Sequence, residues 1–96
     1  MTRRLLRHRV VASAEPQMRR VHSDPLHAVA ERLGVGEDAQ HIVDFWAEGN
    51  IEEDGTARSF IVLGTGQPIP DDARYWVSTG RTSDGLVWHL YEVPRA

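Results

Sequence analysis

The chain has 96 residues and a net charge of −3, with 41% hydrophobic side chains, 26% charged side chains and no cysteine. This composition indicates one globular domain over residues 1–96, and it excludes a disordered chain, a disulfide-stapled secreted domain and any site built on thiolates. No apolar run approaches the ~18 residues of a membrane span, and Arg7, His8 and Arg9 interrupt the apolar core that a signal peptide would need. We therefore expect a soluble, cytoplasmic protein.

The charge is unevenly distributed along the chain. Residues 1–23 carry six arginines against one glutamate, a balance of +5, so the remainder must carry −8. A basic front end of this kind can neutralise nucleic-acid phosphates. The residues that would do so are Arg3, Arg4, Arg7, Arg19 and Arg20. The competing and favoured interpretation places these arginines on the solvated face of a half-exposed strand.

The first half of the chain contains two strand-like segments and one ambiguous one. Segments 5–13 and 17–23 flank Glu15 and Pro16, which is typical of a hairpin. Segment 25–33 has local helical features, because Asp24 and Pro25 resemble a helix start and Gly34 a helix end. It lies in a chain of strands, however, and tertiary context often overrides such propensity. Both a short helix and a strand stay open for this segment.

The second half predicts two further hairpins. Apolar and polar residues alternate over 41–48, and 58–64 is a short apolar run, so these segments predict a hairpin closed by an acidic loop. Segments 74–80 and 86–93 predict another, joined by the Asp84-Gly85 turn dipeptide. Between them, the proline-containing stretch 64–73 predicts an ordered loop. The expected fold is mainly β, a small antiparallel sheet or two-layer β-sandwich with at most one short helix.

A series of short motifs runs through the chain from Phe45 onward. It runs "FWA", "GTGQPIP", "ARYWVSTG" and "LVWHLYEV". This series resembles a family of small uncharacterised proteins, a domain of unknown function common in phages and actinobacteria, with the pattern W-A, GTGxPIP and VWHxxE. The resemblance implies a compact β-rich protein encoded by a phage or prophage, and it favours a strand over 24–33. It implies no activity.

The sequence offers little support for catalysis, for a metal or for a cofactor. The five histidines include no HExxH pair or other close ligand spacing, so no metal site is expected. A hydrolase could combine a serine with His89 and Asp84, but no nucleophile-elbow motif marks any serine. A small enzyme with a site centred on His89 is therefore a minor alternative.

Aromatic residues are the strongest candidates for function. The sequence predicts a partner-binding surface from Trp46, Trp76, Trp88, Ile69 and Pro68, because aromatic side chains contribute large apolar areas to protein contacts. Burial of the three tryptophans in the core is the favoured alternative. We expect a non-enzymatic protein-interaction module, a phage or prophage accessory protein that binds a host protein or a second copy of itself through a sheet face or edge. Nucleic-acid binding by the arginine-rich segment is the alternative.

Overall fold

Seven β-strands account for most of the described chain. The computed structural model describes residues 2–73 and 75–94. The strands are β1 (Arg4–Val11), β2 (Gln17–Val21), β3 (Ala28–Leu33), β4 (Gln40–Gly49), β5 (Thr56–Gly64), β6 (Tyr75–Arg81) and β7 (Val87–Val93), with one 3₁₀ turn at Gly36–Asp38. They form a three-stranded antiparallel sheet in the order β1-β4-β3 and a four-stranded one in the order β2-β5-β7-β6. The expected mainly β fold is confirmed. No helix in the described ranges has the length and apolar character needed to cross a bilayer.

Segment 25–33 is not helical, because its last six residues form strand β3 beside β4. Ala28 and Ala30 point into the core while Val29 and Glu31 point outward. This two-residue alternation was present in the sequence beside the helical spacing. Pairing with β4 satisfies the backbone and decides between the two patterns.

Two of the three expected hairpins are wrong, and the third is confirmed. β1 pairs with β4 and β2 with β5, so neither the 5–13/17–23 pair nor the 41–48/58–64 pair forms a hairpin. The connections at Glu15-Pro16 and at 50–55 instead carry the chain from one sheet to the other. β6 and β7 do pair, and Gly85 adopts a positive φ of 94° in the expected turn.

The core lies between the two sheets. Its largest side chains are Phe45 of the three-stranded sheet and Phe60 of the four-stranded sheet, whose ring centroids are 4.8 Å apart. Smaller aliphatic residues surround them: Val10, Val21, Ala28, Ala30, Val43, Val62 and Leu90. Burying one such large side chain stabilises a fold by about 1.5–3 kcal/mol, so this layer holds the sheets together.

Both sides of the sandwich are closed. On one side β6 lies against β3, where the amide of Ala28 donates to Ser78 Oγ at 3.2 Å. On the other side, the Gln17 side chain bonds both the N–H and the carbonyl of Val11, and Arg19 Nε donates to the carbonyl of Arg9. These contacts occupy backbone groups of edge strands that would otherwise be available to another chain.

A second apolar cluster lies on the outer face of the four-stranded sheet. It contains Ile61, Leu63 and Val93, with Tyr91 and Ala73 packed against it. Ala73 belongs to loop 65–73, so the loop contributes to this cluster. The proline-containing stretch is therefore ordered by packing as well as by its prolines.

Candidate protein-binding site at the start of strand β6

Two neighbouring aromatic residues at the start of edge strand β6 are largely exposed. Tyr75 is 64% exposed and Trp76 is 59% exposed. Tyr75 pairs with Glu92 and Trp76 with Tyr91, so the two rings leave the strand on opposite faces. Large exposed aromatic side chains are uncommon on small domains and common in protein contact sites.

A β-bulge fixes the orientation of Trp76. The register between β6 and β7 shifts between Trp76 and Ser78, which brings Trp76 and Thr79 to the same face of the sheet. Trp76 Nε1 donates a hydrogen bond to Thr79 Oγ1 at 3.0 Å. The indole is thus held at its polar end while its apolar body faces solvent.

A chain of hydrogen bonds continues from Thr79 to the neighbouring loop. Thr79 Oγ1 lies 2.9 Å from His89 Nδ1, and His89 Nε2 lies 2.9 Å from Thr65 Oγ1. Both ring nitrogens of His89 are therefore engaged with hydroxyl groups. The arrangement fits a structural link between β6, β7 and the loop.

A cleft of about 350 Å³ opens beside the two aromatic residues. Tyr75, Trp76 and Val77 line one side, and Asp24, Arg58 and Glu92 supply its charged groups. Tyr75 of β6 pairs with Glu92 of β7, which in turn pairs with Phe60 of β5. Because Phe60 faces the core, the cleft continues the inner face of the four-stranded sheet beyond the core. Asp24 comes from the segment between β2 and β3, which hydrogen bonds hold against the end of β4.

Arg58 is the centre of an ion-pair network in this cleft. Its Nε and Nη2 donate to the two Glu92 carboxylate oxygens at 2.6 Å each, and its Nη1 donates to Asp24 Oδ1 at 3.1 Å. The bond to Glu92 is the main cause that raises the pKa of Arg58 above its ordinary value. One positive charge faces two negative charges, so the described cleft residues carry a net charge of −1.

The five residues predicted as a partner surface do not lie together. Trp76, Ile69 and Pro68 are exposed. Ile69 and Pro68 lie in loop 65–73, which packs through Ala73 against the four-stranded sheet that contains Trp76. Trp46 is half-buried and lies on the outer face of the other sheet, opposite Arg7. Trp88 packs against the core and against His41, with ring centroids 5.4 Å apart.

The arginines of the front end also point in different directions. Arg3 pairs with Glu48 at 2.7 Å, and Arg19 donates to backbone carbonyls of Arg9 and Met18. Arg4 and Arg7 are exposed on opposite faces of β1, and Arg20 is exposed on β2 of the other sheet.

Sequence reasoning missed Arg58, Glu92 and Asp24. A usable signal was present in two of the strands. Arg58 lies two and four positions before the core residues Phe60 and Val62, and Glu92 lies two positions after Leu90. Alternate residues of a strand share a face, so both charged residues fall on the inward face. A charged residue at an inward position of an alternating strand needs a partner, so two such residues of opposite sign predict an ion pair.

A family model shows where the protein belongs. A domain of unknown function, DUF7352, matches residues 1–96, and the chain belongs to this family. No curated protein and no solved structure matches the chain.

Proposed function

We propose that this DUF7352 protein is a non-enzymatic interaction module that binds a protein partner through the surface around Trp76. The supporting observation is that Trp76 is 59% exposed while its Nε1 is hydrogen-bonded to Thr79. A fixed aromatic side chain loses little conformational entropy on binding, so it makes an efficient anchor for a partner. Tyr75, the preceding residue, is also exposed but leaves the strand on the opposite face, so a partner that wraps around the start of β6 contacts both rings.

The closure of the sandwich favours a face over a strand edge as the contact surface. Side chains of Gln17 and Arg19 occupy backbone groups of β1, and β6 lies against β3. Strand addition needs a row of free backbone groups, which these contacts interrupt. The Trp76 surface needs no such row, since it works through side chains.

Site-specific photo-cross-linking tests the proposal. A benzoylphenylalanine replaces Tyr75 in one variant and Val35 in a control, because Val35 is 84% exposed but lies in the β3–β4 connection. In extract of cells that make the protein, we expect a discrete cross-linked product from position 75 only. Adding Trp76→Ala to the position 75 variant should abolish it. The same products from both positions, or a product that survives Trp76→Ala, would refute the proposal.

The partner is a host protein or a second copy of this chain, and purified protein separates the two. Light scattering after size-exclusion chromatography should show a dimer that Trp76→Ala dissociates if the chain binds itself. Identical monomers for wild type and Trp76→Ala leave only a heterologous partner. A homodimer would have to use the Trp76 surface of both copies, because two-fold interfaces are self-complementary.

Phage or prophage origin and action in the cytoplasm belong to the same proposal. The motif series "FWA", "GTGQPIP" and "VWHLYE" supports the first, and the absence of cysteine supports a reducing compartment. Genes of phage structural or regulatory proteins next to the coding sequence would strengthen the assignment. A neighbourhood of housekeeping genes in every genome that encodes the protein would contradict it.

Nucleic-acid binding through the front end has weaker support. Arg3 and Arg19 are engaged within the protein, and the exposed Arg4, Arg7 and Arg20 lie on different faces. A nucleic-acid site normally gathers its positive charges along one surface. Binding to DNA or RNA at low salt that falls steeply as salt rises would restore this alternative.

A further inference from the structure

We infer that His22 is a pH-sensitive switch whose ring leaves a slot between two glycines and turns into a neighbouring acidic cavity when it is protonated. The inference goes beyond the proposed function and is independent of it, because it assigns a conformational device and no partner. It is carried by the packing of the ring, by a ring nitrogen without a hydrogen-bond partner and by the charges of the cavity.

The His22 ring lies between Gly49, the last residue of β4, and Gly55, just before β5. A Cβ atom at position 49 would lie 2.6 Å from His22 Cγ and 2.8 Å from Nδ1, and one at position 55 would lie 3.3 Å from Cε1. The space for the ring therefore depends on the absence of a side chain at both glycines. In this slot, the ring packs against both ends of the 50–55 connection.

The hydrogen bonding of the ring defines its neutral form. His22 Nε2 lies 2.8 Å from the carbonyl oxygen of Glu53. A carbonyl oxygen only accepts, so Nε2 carries the proton and Nδ1 of the neutral ring carries none. Nδ1 is buried and has no hydrogen-bond partner among residues 2–73 and 75–94. Protonation there would add a buried positive charge and a donor without an acceptor, which is unfavourable in the slot.

A cavity of about 500 Å³ adjoins the slot and offers a second position for the ring. His22 lines this cavity together with the carboxylates of Asp24, Glu48 and Glu53 and the guanidinium of Arg3. Three negative charges face one positive charge, and that one is paired with Glu48 at 2.7 Å. An imidazolium in the cavity can donate charge-assisted hydrogen bonds to carboxylates, whereas the buried Nδ1 has no acceptor.

The charged groups of the adjacent strands favour the same movement. Burial, followed by the charges of His22 and of Arg19 in β2, lowers the pKa of His8 in β1. Positive charges on His8 and His22 therefore disfavour each other, and contact with carboxylates offsets this repulsion. Arg58 of β5 binds only Oδ1 of Asp24 within the described residues, at 3.1 Å, so Oδ2 can accept from the protonated ring.

The two positions make His22 a two-state element. Histidine changes its charge between about pH 5 and pH 8, so the neutral ring in the slot is the form at neutral pH and the charged ring in the cavity the form in mild acid. The turn of the ring frees the carbonyl of Glu53 and removes the packing against the two glycines. The 50–55 connection then loosens, while the core between the sheets, which does not include His22, stays packed.

Nuclear magnetic resonance of the purified protein at about pH 7.5 and about pH 5 tests the inference. At neutral pH we expect nuclear Overhauser contacts between His22 Hε1 and Gly55 Hα. In acid these contacts should be lost, and contacts to the methyl groups of Leu26, which lines the cavity, should appear. Hydrogen-exchange protection of the Glu53 amide, which donates to the Asn50 carbonyl, should fall several-fold while the strand amides stay protected.

Two results of this measurement would overturn the inference. Ring contacts with Gly55 that persist in acid would show that the protonated ring stays in the slot. Protection lost from all strands at the same pH would show that acid unfolds the whole sandwich instead of loosening one connection.

Matched variants assign the change to His22. His22→Gln keeps an N–H donor for the Glu53 carbonyl but cannot titrate, so the pH dependence of the Leu26 and Glu53 signals should disappear. The control His27→Gln removes an exposed histidine just before β3 and should keep the wild-type response. His8→Phe should keep it as well. A response that survives in His22→Gln, or that is lost in His8→Phe, would contradict the assignment.

Discussion

Gly80 of β6 packs directly against Ala30 of β3, so closely that a Cβ atom at position 80 would lie 2.7 Å from the Ala30 amide nitrogen. The neighbouring atom is backbone, which cannot rotate away as a flexible side chain can. The absence of a side chain at this position lets the edges of the two sheets meet. It also keeps strand β6, which presents Trp76 at its other end, seated on the core.

Gly80→Ala should destabilise the protein by about 1–3 kcal/mol, because the added methyl group forces β6 away from β3. Chemical denaturation followed by circular dichroism measures the change in the free energy of unfolding. Gly64→Ala is the matched control, since a Cβ there would meet side-chain atoms and no backbone, with the Gln67 oxygen at 3.2 Å and the Trp88 ring at 3.4 Å. Equal losses for the two variants would show that the close approach at Gly80 does not hold the edges together.

The strands were predictable because burial of one sheet face leaves a two-residue alternation in the sequence, as in β4 with Val43, Phe45 and Ala47. Their partners were not, because alternation records which face is buried and nothing about the strand alongside. The 50–55 connection has the turn-forming residues of a hairpin loop, yet it links strands of different sheets.

The candidate site was predictable to the same limited extent. Aromatic chemistry identified Trp76, but Tyr75 and the Arg58–Glu92 pair come together only through the registers of β5, β6 and β7. Trp46 and Trp88 were indistinguishable from Trp76 in the sequence. The depth of each tryptophan depends on which face its strand presents.

The ion pair between Arg9 and Asp44 predicts an asymmetric response to mutation. Arg9 binds both carboxylate oxygens, at 2.8 and 3.1 Å, and the Asp44 side chain is only 11% exposed. Arg9→Ala should destabilise the protein more than the double variant Arg9→Ala/Asp44→Ala, because the single change leaves a buried carboxylate without its partner. Denaturation midpoints of the variants measure this order.

Arg3→Ala is the control for that series. Arg3 and Glu48 also form an ion pair, but their side chains are 75% and 45% exposed. Exposed pairs of this kind add little to stability, so the change should have almost no effect on the midpoint. A loss as large as that of Arg9→Ala would contradict the role assigned to burial.

His8 predicts a loss of stability in mild acid. Its ring stacks on Phe45 with centroids 5.2 Å apart, and burial, followed by the charges of His22 and Arg19, lowers its pKa below the ordinary value of 6.5. The unfolded chain therefore binds a proton on this residue more readily than the folded protein. Stability from this group is complete above about pH 6.5 and is lost as the pH falls through the lowered pKa.

Urea denaturation at about pH 7.5 and at about pH 5 measures this effect. His8→Phe keeps an aromatic ring against Phe45 but cannot titrate, so its stability should fall less on acidification than that of the wild type. His27→Gln, at an exposed position just before β3, should behave like the wild type. An unchanged pH dependence in His8→Phe would exclude His8 as the source of acid sensitivity.

The hydroxyl group of Thr79 should control the order of the Trp76 indole. Thr79→Val removes the acceptor of Trp76 Nε1 and the contact with His89 while nearly keeping the shape of the side chain. We expect a loss of about 0.5–1.5 kcal/mol of stability, as for one hydrogen-bonding group. We also expect a lower order parameter for the indole N–H and weaker partner cross-linking from position 75.

Thr65→Val is the control, because it removes a hydroxyl at the far end of the same series of hydrogen bonds, where it contacts His89 but not Trp76. It should therefore leave the indole ordered and the cross-link intact, because preorganisation of the anchor depends on the bond nearest to it. If Thr79→Val leaves both the order parameter and the cross-link at wild-type values, Trp76 does not depend on this bond for its orientation.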